Sequence, residues 1–332
     1  MKGTLERSTS QADVAGKGST GPETGARKLR RGKVKEVWEI SPTELEFVFT
    51  DDISVFDKHI PNAIPHKGET LARTSAFWFD LCTKERVNHH FLRLSGPNRM
   101  RVKRVEVVAN PKASGKPKRS LFIPLECIAR YYVAGSLWDR LQKGKVKPSE
   151  CGLPSSPAPK YGQKLPEPMF EFTTKLEPVD RVLTEKDALE VGGITKKEVS
   201  EIQEMVLKVD RAMQRTIDPR DLLHVDGKKE FGFDEHGKLM VLDTFGTADE
   251  DRFWELAAYE RGQFHEFSKE FVRQHYKQMG YYEKLQAARA SGQAEPEIPA
   301  LPPNLVQEVS TLYTTVFERL TGERFHSGGK ST

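Results

Sequence analysis

The chain has 332 residues, 37% of them hydrophobic and 30% charged, enough for one large domain or two modest ones. A formal charge of +4, from 52 basic against 48 acidic residues, is too even for a nucleic-acid binder, which clusters its cations. No apolar run approaches the ~20 residues of a membrane span, and the N-terminus lacks the apolar centre of a secretory signal. The three cysteines (Cys82, Cys127, Cys151) have no metal-ligand spacing, and the expected compartment is a reducing cytoplasm.

Residues 1–27 are rich in Ser, Thr, Gly and Ala and read as a disordered tail; 326–332 read the same way. Residues 28–122 are strand-like. "VKEVWEI" and "ELEFVFT" alternate in period two around the turn "SPT", and "RMRVKRVEVVA" continues the pattern before the polar loop "ANPKASGKPKRS". "LARTSAFWFDLCTK" is the one clear helix there. Residues 123–325 mix strands and helices. "TKKEVSEIQEMVLKVDRAMQRTI" places Val199, Ile202, Val206, Val209 and Met213 on one stripe, with Thr195 and Glu198 spaced as a capping box. "KKEFGFDEHGKLMVLD" is a hairpin turning near Asp234–Gly237, and "NLVQEVSTLYTTVFERLTG" is an amphipathic helix stopped by glycine. A strand-rich first part beside a mixed second part predicts an α+β fold with a cleft between two lobes.

Several stretches carry polar groups in patterns that suit chemistry. In "IPLECIARYYVAGS" an even spacing puts Glu126 and Arg130 on one face of a strand, and Ser136, with Asp139, is placed to cap the helix that follows. A helix N-terminus beside an arginine is an anion seat; a structural ion pair with an ordinary cap fits the same residues. "RRGKVKEV" offers Gly32, Lys33 and Lys35 to a polyphosphate, or forms a solvated strand edge. "FTDDISVFDKHIPNAIPHKGE" carries Asp57 and delivers Lys67 just before a helix. If Phe233 pairs with Lys238, then Lys228, Glu230 and Asp243 share one hairpin face, a seat for Mg²⁺ with nucleotide phosphates. In "GQKLPEPMFEFTTKLEP" two prolines hold an extended segment that presents Thr173, Thr174 and Lys175.

The order of these segments resembles the phosphoribosylaminoimidazole-succinocarboxamide synthase (SAICAR synthetase) family from about Gly32 to Gly322. The match is carried by "GKVKEVWE", "FTDDISVFD", "IPHKGETLARTSAFWF", "PLECIARYYVAGSLW", "KLPEPMFEFTTK", "KKEFGFDEHGKLMVLD", "DEDRFW" and "SKEFVRQHY". The resemblance implies a two-lobed fold of ATP-grasp or kinase-like arrangement with ATP in the cleft. It implies an ATP-dependent ligase joining 5-amino-1-(5-phospho-D-ribosyl)imidazole-4-carboxylate to L-aspartate, small-molecule partners without nucleic acid or membrane, and room for a homo-oligomer. On that resemblance Gly32, Lys33, Lys35 and Lys103 would line ATP, and Glu230 and Asp243 would hold Mg²⁺. Glu126, Arg130, Ser136, Arg252, Lys269 and Arg273 would hold the ribonucleotide. Lys67, Asp57, Lys175 and Lys228 would serve the reacting carboxylates. Two segments depart from the family pattern. "DRVLT" (Asp180 to Thr184) stands where many members carry an acidic run, and "DTFGTADEDR" has Thr244 for a Glu and Glu250-Asp251 for serines. A ligase of the same scaffold with a different amine or acid, or a nucleotide binder without turnover, are the alternatives.

Overall fold

The computed structural model describes residues 25–115, 117–177 and 180–326. The expected N-terminal tail lies outside them except for Gly25, Ala26 and Arg27, where the first strand starts, and the expected C-terminal tail except for His326. The first sheet is antiparallel. It contains β1 (Arg27–Arg31), β2 (Lys35–Glu39), β3 (Glu44–Phe49), β6 (Phe91–Gly96) and β7 (Arg99–Lys103) in the order β1-β2-β3-β7-β6. Between β3 and β6 come the hairpin β4 (Asp52–Val55) and β5 (Lys58–Ala63) and the helix α1 (Lys67–Lys84).

The second sheet contains β8 (Leu121–Tyr132), β9 (Lys164–Thr174), β10 (Val182–Leu183), β11 (Leu222–Phe233), β12 (Leu239–Leu242) and β13 (Asp251–Glu255). Its order is β10-β9-β8-β11-β12, with β13 also pairing β11. The helices are α2 (Pro111–Ser114), α3 (Gly135–Gln142), α4 (Glu185–Gly192), α5 (Lys196–Ile217), α6 (Leu256–Glu260), α7 (Glu270–Gln278), α8 (Tyr281–Ser291) and α9 (Pro303–Thr321). Helices packed on an antiparallel sheet that turns its other face to a cavity make the fold α+β. Among the described residues no helix is long and apolar enough to cross a membrane.

The core is continuous across both sheets. Phe49, Trp78, Phe79, Met213, Phe245 and Tyr313, from both halves of the chain, belong to one buried cluster. α1 approaches the first sheet so closely that a Cβ on Gly68 would lie 2.7 Å from the Phe49 carbonyl oxygen. Only glycine fits there. On α5 the predicted stripe from Val199 to Met213 is buried against the second sheet. The Thr195–Glu198 capping box forms, each side chain accepting from the other's backbone N–H.

Three local expectations need correction. The loop at Asn110 contains the short helix α2, capped by Asn110 Oδ1 accepting from Ala113 N at 2.9 Å. Ser136 is not a cap: the N-cap of α3 is Ala134, and Ser136 Oγ instead accepts from Arg130 Nη2 at 3.0 Å. Phe233 pairs with Leu239, not Lys238. Asp234 and Lys238 close a three-residue loop whose last member, Gly237, has φ 78, a geometry that glycine stabilises.

Candidate active site

Period-two alternation on three neighbouring strands builds the floor of the site. Register sets Glu126 opposite Glu230 and Thr173, and Arg130 opposite Asp226, so these side chains share one face of the second sheet. Two glutamates directly opposite each other repel. Lys175, just past the end of β9, relieves this by reaching Glu126 at 2.7 Å and Glu230 at 2.6 Å. Lys228 adds contacts to Glu126 at 2.8 Å and Glu250 at 3.0 Å. Burial pushes the Glu126 carboxyl up, but Lys228 and Lys175 outweigh it and hold the group down at about 2. Beside them, Arg130 donates to Glu171 (2.6 Å) and Asp226 (3.3 Å), and Arg252 donates to Asp226 (2.7 Å). Gly135, at φ 49, is what lets Arg252 sit there: a Cβ would fall 2.6 Å from its Nη1.

The walls come from turns. Phe56 and Asp57 form a two-residue turn between β4 and β5 with φ 52 and 64, left-handed values that non-glycine residues adopt at a cost. Asp57 there pairs with Lys33. Asp243, one residue past β12, also has a left-handed backbone at φ 57 and so leaves the strand's alternation. Despite the corrected register it lines the same cavity as Glu230, and it meets Lys35 from the first sheet.

Three adjoining chambers result. One of about 460 Å³ is mainly apolar, with Val37, Phe47, Val102 and Leu242 as walls and Lys35, Glu230 and Asp243 at its rim. Lys103 also lines it, with its ammonium 3.6 Å from Glu235. The central chamber, about 550 Å³, shares Lys35, Lys175 and Asp243 with the first and adds Gly32, Lys33, Asp57, Glu126 and Lys269. A basic chamber of about 380 Å³ follows, lined by Arg130, Ser136, Arg252 and Arg273, with Lys228 at the junction. Lys269 faces the centre with no ion pair among the described residues; burial lowers its ammonium to about 8, against the attraction of Asp249. Lys67 lines none of the three. It is fully buried and donates to Asp249 Oδ2 at 2.8 Å, while Tyr313 holds the other oxygen at 2.5 Å, so it braces the wall.

A sequence profile for SAICAR synthetase matches residues 28–288 of this arrangement. The chain belongs to the SAICAR synthetase family. The phosphoribosylaminoimidazole-succinocarboxamide synthase of Thermoplasma volcanium is 49% identical over 297 residues, covering 90% of this chain and 99% of the relative. That of Thermoplasma acidophilum is 46% identical over the same coverage. The Saccharomyces cerevisiae SAICAR synthase, solved with SAICAR, shares the fold at a TM-score of 0.69 and 24% identity, over 92% of this chain and 99% of that one. A type-2 SAICAR synthetase solved with ADP aligns at a TM-score of 0.63 and 25% identity, over 90% and 99% of the two chains.

Within this SAICAR synthetase family member, the residues expected to bind ATP, metal or substrate all line a chamber except Lys67. Thr173 and Thr174 are instead buried, Thr173 donating to Glu126 and Thr174 accepting from Arg181 N. Sequence reading missed Arg30, which lines the apolar and central chambers and has no partner among the described residues. It also missed Asp226 and Glu171, which orient Arg130; Asp226 was accessible by extending the alternation Lys228–Glu230 back two residues. The two departures from the family pattern face the cavity as well: Asp180 and Glu250-Asp251 line the central chamber, whereas Thr244 is buried.

Proposed function

We propose that the chain is an ATP-dependent ligase that forms an amide between 5-amino-1-(5-phospho-D-ribosyl)imidazole-4-carboxylate and L-aspartate in de novo purine synthesis. The observation that carries the reading is the sequence of chambers, apolar then lysine-and-carboxylate then arginine-rich, in one cavity. Such a row suits an adenine ring, a polyphosphate beside the reacting carboxylate, and a sugar phosphate. Relatives at 49% and 46% identity carry the name of this activity, and a family structure at 25% identity holds ADP, which supports ATP as the phosphoryl donor. The two sheets act as lobes on either side of the nucleotide.

The ribonucleotide's 5′-phosphate meets Arg273, Arg252, Arg130 and the first N–H groups of α3. Its carboxylate oxygen attacks the γ-phosphorus; that P–O bond forms as the bond to ADP breaks. The amine then attacks the acyl carbon, and phosphate departs with the C–O electron pair. Little covalent work falls to the protein, so positioning and charge neutralisation by Lys35, Lys175, Lys228 and Lys269 dominate. Among the described residues no three acidic, His or Cys side chains enclose a metal unaided. Glu230 and Asp243 nevertheless fit Mg²⁺: they are hard oxygen donors at one rim, each beside a lysine, leaving other positions to phosphate and water. Bound there, Mg²⁺ would neutralise phosphate charge.

ADP release measured with ATP and the carboxylated ribonucleotide, with and without L-aspartate, tests the reading. Strict dependence on aspartate is expected. Release only with another amine, or none under any condition, refutes it.

A further inference from the structure

The proposed reaction brings an amine to the acyl carbon near the junction of the central and basic chambers, and at neutral pH that amine arrives as an ammonium without a lone pair. Something must hold it and take a proton. Three carboxylates line both chambers: Asp57, Asp226 and Glu250. Asp57 accepts from Lys33, and Asp226 accepts from both Arg130 and Arg252. The Glu250 side chain accepts no hydrogen bond from the described residues. Its Oε2 is buried without a donor, and the 3.0 Å approach of Lys228 is an ion-pair contact without hydrogen-bond geometry.

Other carboxylates around the central chamber are already committed. Asp249 accepts from Lys67 and Tyr313, one on each oxygen, and Asp251 likewise from Gly246 N at 2.7 Å and His224 at 2.7 Å. Glu126 accepts from Lys175, Lys228 and Thr173. The Asp180 side chain also accepts no hydrogen bond from the described residues, but it lines only the central chamber of the two.

Resting on the ligase reading, we infer that Glu250 is the catalytic residue that receives the attacking amine, anchoring its ammonium and accepting its first proton. The freed lone pair forms the C–N bond to the acyl phosphate, the C–O bond to phosphorus breaks, and phosphate leaves with the bonding pair and the second surplus proton. Lys228 remains satisfied when Glu250 is protonated, because Glu126 holds it at 2.8 Å. A carboxylate held beside a lysine yet left without a hydrogen bond suits both tasks, since its free acceptor sites match the N–H donors of an ammonium.

The test uses the full chain with Glu250→Gln, Asp180→Asn and wild type, each assayed for ADP release with L-aspartate and with hydroxylamine. Hydroxylamine is uncharged at neutral pH and needs no proton acceptor before attack. For Glu250→Gln the expected result is a fall in kcat with aspartate of about 100-fold or more, the usual scale of a lost general base. Hydroxylamine-dependent release and the KM values for ATP and ribonucleotide should stay within about threefold. Equal losses with both nucleophiles, or none with either, overturn the assignment. So does an aspartate-selective loss in Asp180→Asn with Glu250→Gln normal. If wild type shows no aspartate-dependent release while binding ATP, it is the ligase reading that fails, and the role of Glu250 falls with it.

Discussion

At the scale of single residues, charge and backbone conformation can be separated at Asp243. Its left-handed φ of 57 is tolerated by Asn nearly as well as by Asp, whereas Asn lacks the charge that the proposed Mg²⁺ seat needs. Asp243→Asn should therefore keep the fold and lose turnover by about 100-fold or more, through weakened Mg²⁺-nucleotide binding. ADP release together with a thermal melt checks this; near-normal activity would remove the metal assignment. The arginines of the basic chamber divide differently. Arg273 is 32% exposed and paired with Glu270 at 3.1 Å, so Arg273→Ala should raise the ribonucleotide KM about tenfold, leave the ATP KM alone and spare stability. Arg130 is buried among Glu171 and Asp226. Truncating it takes one of two arginines from each carboxylate, Arg140 staying on Glu171 and Arg252 on Asp226. Arg130→Ala should therefore raise the ribonucleotide KM far more than that of ATP and also cost about 2 kcal/mol of stability through the lost charged hydrogen bonds. Equal effects of Arg273→Ala on both KM values would refute the division of the cavity into a nucleotide end and a sugar-phosphate end.

At the scale of elements, α7 places Lys269 at its N-cap, facing the central chamber. A lysine whose folded value is lowered to about 8 is charged below that pH and neutral above it. Anion binding by the free enzyme should therefore weaken as pH rises through about 8, seen as a falling kcat/KM for the ribonucleotide. Lys269→Arg, which stays charged, should carry the plateau to higher pH; an unchanged profile would count against Lys269 as an anion contact. How far such placements were legible depended on range. The α5 capping box and stripe were readable because their partners lie within a few residues of one another. The alternation that gathers Glu126, Arg130, Lys228 and Glu230 was readable because a strand imposes it. The hairpin register was not, since it turned on whether three or four residues close the loop at Gly237. A bulge between His224 and Asp226 was also invisible, and it accompanies His224 meeting Asp251 while Asp226, also even-numbered, serves the site. Nor could the apolar chamber be read: Val37, Phe47, Val102 and Leu242 look like ordinary core until two sheets meet around them.

At the scale of the whole molecule, the site is also a store of acid sensitivity. Five buried carboxylates are held below their ordinary range despite burial that opposes it: Glu126, Glu171, Asp210, Asp249 and Glu270, each by lysines or arginines close by. A carboxylate whose folded value is depressed stabilises the fold above its unfolded value and loses that contribution as pH falls through the folded one. For Glu126 the window runs from 4.5 down to about 2. A shift of that size corresponds to about 3 kcal/mol. Glu266 works the other way, since burial raises it, as do the more exposed Asp80 and Asp180, but they are fewer and two of them lie partly in solvent. The net expectation is unfolding free energy that falls steeply between about pH 4.5 and about pH 2. Urea titrations at a series of pH values measure it directly. Glu126→Gln should lower stability near neutrality and flatten the acid limb, because the amide has no proton to gain. If the wild-type unfolding free energy at pH 5 and at pH 2.5 proved equal, the lysine-carboxylate lattice under the cavity would contribute nothing to the fold, and its sole role would be to arrange charge for the ligands.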